Sequence, residues 1–214
     1  MVSENGQSRG RKECGTHVFW GEIAPCDHVV QIYEDDEVFL DTLAGFVCDG
    51  INAGDCNIVI ATETHLRGLE NKLFCQGIDV DELKAEEQYF PLEAEQALTN
   101  FMVDGWPDEV LFTQWITGLI EKARSRNRNV RAFGEMVALL WEQGHSGATV
   151  HLEHLWNRIC KEKLFRLFCA YPKSGFTQDA TDSLQNICSA HSKIITTGTS
   201  FQSQLLYKSS PIER

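Results

Sequence analysis

The sequence predicts a three-layer α/β domain built on a mostly parallel sheet, and three observations predict it. From residue 28 to residue 172 short apolar runs alternate with amphipathic ones, which is the pattern of strands joined by crossover helices. The strand-like run NIVIAT at residues 57–62 is apolar and β-branched almost throughout, as a parallel strand covered on both faces should be. The stretch from Arg131 to Pro172 holds a strand (Val130–Gly134), a helical turn with Trp141, a long amphipathic helix and a second strand at residues 165–171. A helical crossover of that length joins parallel neighbours, so the stretch reads as a βαβ unit.

Taken in order, residues 1–13 are polar and read as a lead outside the fold. A first strand, HVVQIY at His28–Tyr33, runs into Glu34, Asp35, Asp36 and Glu37. Phe39, Leu43, Phe46, Val47 and Ile51 then recur at helical spacing up to Gly54. Acids at that start suit the partial positive charge of a helix N-terminus. After the strand at residues 57–62, Thr64 can cap a helix carrying Leu66, Leu69 and Leu73, which Gly77 stops. QYFPL at residues 88–92 is a weaker strand, because Pro91 lacks a donor and marks an end or an edge. Residues 92–103 are compatible with helix, Gly105, Trp106 and Pro107 break it, and Asp108 caps a helix with Phe112, Trp115, Leu119 and Ile120 on one side. Beyond the βαβ unit, Leu184, Ile187, Cys188, His191 and Ile194/Ile195 share one face of a helix expected over residues 181–195. From residue 197 the Ser, Thr and Gln content reads as a loose tail. The expected division is an N-terminal extension (1–27), one α/β domain (28–196) and a polar tail (197–214).

The chain has 214 residues, enough to bury a real core. Its formal charge of -12, from 31 acidic against 19 basic residues, argues against nucleic acid, since there is no cationic surplus to release phosphate counterions. The opening residues lack the apolar core of a secretory signal and no run approaches a membrane span, so a cytoplasmic protein without membrane contact is expected. In that compartment the eight cysteines, Cys14, Cys26, Cys48, Cys56, Cys75, Cys160, Cys169 and Cys188, read as free thiols, mostly buried as small hydrophobes.

In open α/β sheets ligands bind outside the carboxyl ends of the strands. Here those ends carry Glu34, Glu63, Glu135 and Tyr171, a set of acids and one phenol that is either a site or ordinary helix N-terminal electrostatics. A phosphate cradle needs a glycine-rich turn and a lysine after the first strand. This chain places Glu34 to Glu37 there and has no G-x-x-x-x-G-K-[ST], which argues against ATP or GTP hydrolysis. Cys14, His17, Cys26 and His28 offer zinc-type ligands, although their C-x2-H-x8-C-x-H spacing matches no common finger. No other cofactor is expected. On the long helix Leu152, Leu155, Trp156, Ile159 and Cys160 form the inward stripe, which leaves His151 at its flank and His154 nearly opposite. Cys188 and His191 both lie on an expected inward face and read as a core thiol beside a satisfied histidine, a nucleophile and base, or two metal ligands.

The segments HVVQIYEDDEVFLDTLAGFVCDGINAGDCNIVIATETH, ALTNFMVDGWPD, VRAFGEMVALLWEQG, LEHLWN, FRLFCAYP and ICSAHSKII, in this order, resemble the MEDS domain, the methanogen/methylotroph DcmR-type sensory domain. The resemblance covers about residues 28–195 and implies a RecA/KaiC-like fold without the nucleotide loop, in a bacterial or archaeal chain. It further implies a non-catalytic sensor of a small organic molecule, such as a one-carbon or hydrocarbon derivative. Residues matching the family motifs are His28, Tyr33, Glu34, Asp35, Phe133, Gly134, Glu135, Trp141, Glu142, Tyr171, Cys188 and His191; Glu63 joins the expected ligand site from the strand-end reading. Output would pass to a separate signalling protein, such as a histidine kinase or transcription regulator, with a homo-oligomer also compatible. The Cys14-His17-Cys26 addition departs from the family pattern, so a metal there would be peculiar to this chain. A metal protein or Cys/His-dependent enzyme, and residual nucleotide binding, stand as the alternatives.

Overall fold

The computed structural model describes residues 20–176, 181–197 and 203–207; the expected ligands Cys14 and His17 lie outside them. Seven strands form the main sheet among the described residues: β1 (His28–Tyr33), β2 (Cys56–Ala61), β3 (Tyr89–Glu93), β6 (Val130–Gly134), β7 (Arg166–Pro172), β8 (Lys193–Thr197) and β9 (Ser203–Tyr207). Their order is β3-β2-β6-β7-β1-β8-β9, and every pair is parallel except β8 with β9. The expected βαβ unit is present, with β6 and β7 as direct neighbours joined by α6 (Met136–Glu142) and α7 (Ser146–Lys163).

Helices cover both faces. On one side α1 (Asp36–Ala53), α2 (Glu63–Cys75) and α3 (Val80–Ala85) bury Phe39, Phe46, Leu69 and Leu83 against Val59, Phe133 and Phe168 of the strands. On the other, α4 (Ala94–Leu98), α5 (Glu109–Ala123), α6, α7 and α8 (Thr181–Ala190) pack Phe112, Trp156 and Ile187 against Val30, Ile58 and Cys169. Side chains alternate between these cores along each strand, so β1 sends Val29 one way and His28 with Val30 the other.

Several local expectations need correction. Thr62, not Thr64, caps α2, because β2 ends one residue early and the Thr62 hydroxyl accepts from His65 N. The helix expected over residues 92–103 shrinks to α4, after which β4 (Met102–Val103) and β5 (Trp106–Pro107) form a small hairpin. Its turn is Asp104-Gly105, with φ of 49° and 77°, so the glycine that looked like a break supplies a positive-φ turn. The helix expected to run to Ile195 stops at Ala190. The chain from Lys193 instead adds β8 beside β1, where Ile194, Ile195, Thr196 and Thr197 follow β-branched rather than helical preference. Part of the expected tail is β9, antiparallel to β8. Pro91 does sit in the outermost strand, β3, where an absent donor is tolerated.

Candidate functional site

A crevice opens at the carboxyl ends of neighbouring strands whose following helices leave to opposite faces. Three pairs meet that condition: β1 with β7, followed by α1 and α8, β2 with β6, followed by α2 and α6, and β2 with β3, followed by α2 and α4. At the first, Glu34 pairs with Lys173. Asp35 Oδ1 accepts from Glu37 N at 2.7 Å and from Val38 N at 3.3 Å, capping α1. At the second, Glu135 is buried, accepts from Thr62 N at 2.7 Å through Oε2, and meets His65 Nδ1 at 2.6 Å through Oε1. Burial by itself lowers the His65 pKa, but the hydrogen bond and charge of Glu135, helped by Asp36 and Glu142, outweigh it and raise the net value. Tyr33 stacks on Phe39 nearby, with ring centroids 4.6 Å apart, and burial followed by the charge of Glu135 raises its phenol pKa.

Other expected residues have different company. Trp141 donates Nε1–H to Gly175 O at 2.6 Å and packs on Phe176, clamping the segment after β7 to α6. Glu63 is exposed and pairs with Arg67 one turn along α2, which is the ordinary helix-surface role. Glu142 is exposed at the end of α6. His154 is also exposed, while His151 stacks on Trp106 of the hairpin at 5.3 Å.

Tyr171 does not face the edge. With the period of two along β7, Cys169 and Tyr171 turn toward α7, and His28 of β1 does the same. There they surround Glu153, a residue that sequence reasoning missed. His28, Glu153, Cys169, Tyr171 and His191 are each at most 2 % exposed. Tyr171 donates its hydroxyl to Glu153 Oε1. His28 Nε2 lies 3.2 Å from Cys169 Sγ and 3.4 Å from Glu153 Oε2, and His191 Nε2 lies 3.5 Å from that same oxygen. The two imidazoles pack with centroids 3.9 Å apart. Burial first, then the charges of His191 and Lys161, hold His28 well below its usual pKa against a smaller opposing pull from the Ala190 backbone. Burial also pushes the Glu153 carboxyl up to about 8, against the Tyr171 hydrogen bond. The short His–Glu approaches are therefore not ordinary ion pairs.

This arrangement changes the reading of both Cys/His sets. His28 is directed into the interior, away from any ligand set shared with Cys26, which is partly exposed at a positive-φ turn. His191 directs Nδ1 to Ile187 O at 2.6 Å and Nε2 toward Glu153, 3.5 Å from Oε2. A signal for Glu153 was present: Thr149, Leu152, Glu153, Trp156 and Cys160 recur at helical spacing and all are buried. A carboxylate inside that stripe is the anomaly to notice.

Residues 27–192 match the family described as MEDS, the MEthanogen/methylotroph, DcmR Sensory domain. No curated protein matches the chain in sequence. Among solved structures, a KaiC-like protein from the hyperthermophilic archaeon Pyrococcus horikoshii OT3 superposes with a TM-score of 0.59 at 13% identity, covering 94% of this chain and 89% of that one. That likeness is one of fold, a RecA/KaiC-like sheet flanked by helices.

Proposed function

The chain belongs to the MEDS family of sensory domains, and from that premise we propose that it is a non-catalytic sensor that binds a small organic molecule at the carboxyl edge of its sheet. Binding there would pass a signal to a separate protein. One observation carries this reading. The α1 N-terminus, where a phosphate-binding fold presents free amides, is capped by Asp35 and flanked by Glu34, Asp36 and Glu37. A polyphosphate would meet four carboxylates and amides already bonded, whereas a neutral or cationic molecule meets neither obstacle. Glu135, His65 and Tyr33 supply orienting polar groups along the same edge, and the Trp141 clamp on Gly175 provides a contact that a ligand can loosen or tighten. A ligand shifts such a contact only by its differential affinity for the two arrangements.

A thermal-shift series on the full chain tests this. Neutral and cationic small organics should include at least one that raises Tm in a saturable way, ATP with magnesium should not, and Glu135→Gln and Trp141→Phe should blunt the response. Saturable ATP–magnesium binding would overturn the reading, as would the absence of any organic response together with unchanged partner capture by both variants.

A further inference from the structure

We propose that His28 Nε2, His191 Nε2, Cys169 Sγ and a carboxylate oxygen of Glu153 form a buried four-coordinate site for a divalent transition-metal ion of the zinc or ferrous type. The donor atoms all lie within 4.8 Å of one another. A tetrahedral ion with bonds of about 2.0–2.3 Å requires its ligands to stand roughly 3.3–3.8 Å apart. Separations of 3.2 Å for His28–Cys169, 3.4 Å for His28–Glu153 and 3.5 Å for His191–Glu153 already approach that spacing.

Tautomers give the second argument. A carbonyl oxygen only accepts, so His191 Nδ1, 2.6 Å from Ile187 O, must carry the hydrogen. The Nε2 lone pair of a neutral ring then points at Glu153. His28 presents its Nε2 to Cys169 Sγ and Glu153 Oε2, while its Nδ1 has no hydrogen-bond partner among the described residues. Tyr171, the strong donor beside Glu153, is engaged at Oε1, and Oε2 has no hydrogen-bond partner among the described residues. The lone pairs of His191 Nε2 and Glu153 Oε2, with His28 Nε2 and Cys169 Sγ beside them, crowd one point, and they repel one another unless a proton or a cation lies among them.

Charge and outer contacts agree. A thiolate and a carboxylate cancel a divalent ion, so the loaded centre is neutral, as a site sealed from water requires. Loading displaces the thiol proton of Cys169 and any proton on Glu153. Tyr171 on the carboxylate and the Ile187 carbonyl on His191 are the kinds of outer contact that orient metal ligands. Two imidazoles, a thiolate and a carboxylate favour zinc or iron over magnesium or calcium. The site lies inside the fold and not at the carboxyl edge, so it stands or falls separately from organic-ligand binding there.

Cobalt(II) titration of the chelator-treated full chain, followed by absorbance, is the test. Saturation at one equivalent, with a thiolate-to-cobalt charge-transfer band and tetrahedral d–d bands, is expected. Cys169→Ser should remove the charge-transfer band, Glu153→Gln and His191→Ala should weaken binding by more than about 100-fold, and Tyr171→Phe by about 10–100-fold. The paired change of Cys14 and Cys26 to Ser should leave the spectrum intact. The wild-type spectrum is informative even if a variant misfolds, which circular dichroism would reveal. Absence of saturable binding by folded protein would overturn the site. So would binding that survives Cys169→Ser with Glu153→Gln but disappears with the Cys14 and Cys26 changes, which would place the metal at the N-terminal set.

Discussion

On the α1 face of the sheet, the buried guanidinium of Arg131 meets Asp55 at 2.7 Å and Asp49 at 2.7 Å, and Arg166 approaches Asp55 at 3.6 Å. On the α7 face, Glu153 is equally buried but is ringed by two histidines, a thiol and a phenol. The first cluster is charge-balanced: each charge has an opposite charge in contact, and Arg131 also lies over Phe46. The second places an acid among two imidazoles, a thiol and a phenol, with no lysine or arginine in ion-pair contact with it among the described residues. Burial therefore distinguishes a structural network from a binding centre less well than the balance of charge inside it.

Replacing one acid of each cluster by its amide should give unequal results, and the larger effect belongs to the charge-balanced one. Asp55→Asn leaves the Arg131 guanidinium buried beside a neutral amide, a loss of about 3 kcal/mol, at the low end of the usual roughly 3–5 kcal/mol because Asp49 remains. Glu153→Gln preserves shape and the acceptor for Tyr171 while removing an acid that burial disfavours, so the metal-free protein should change by less than about 1 kcal/mol. Urea unfolding of both variants in chelator measures this. Equal losses would mean that Glu153 is a structural anion like Asp55, and the contrast would fail.

The carboxyl edge and the interior centre were also unequally legible in the sequence. Alternating apolar runs revealed the sheet and its direction, since a strand covered on both faces has few other ways to look, and the strand ends followed from it. Glu34 and Glu135 were found that way. The interior centre was not, because its members are scattered from His28 to His191 and meet only once the strand order places β1 beside β7 and β8 beside β1. Glu153 was passed over between His151 and His154, whose types drew attention although they face outward or sideways. The C-terminal error has the same origin: Lys193–Thr197 is a strand because β1 offers it an edge, a tertiary fact that overrides local periodicity.

A smaller effect is expected at the clamp between the faces. Trp141→Phe keeps the packing on Phe176 but removes the hydrogen bond to Gly175 O, which should cost about 1 kcal/mol globally. Hydrogen exchange should show faster exchange in residues 173–176 and little change around Arg131. Spread of the effect to the Arg131 network would show that the carboxyl edge is not an independently opening unit.

The smallest effect separates the edge pair from both buried clusters by pH. His65 gains a partner on folding, so its pKa is higher in the folded than in the unfolded chain. Its contribution is then fully present below the unfolded value of about 6.5 and is lost as pH rises through the raised folded value. The stability difference between wild type and His65→Gln should therefore be largest near pH 6, on the order of 1 kcal/mol for a partly buried pair, and shrink toward alkaline pH. Asp55→Asn should show no such decline between pH 6 and 9, because Arg131 stays charged throughout that range. A difference between wild type and His65→Gln that grew with pH would mean that His65 is neutral in the folded protein, and that Glu135 is held by the Thr62 amide without an ion pair.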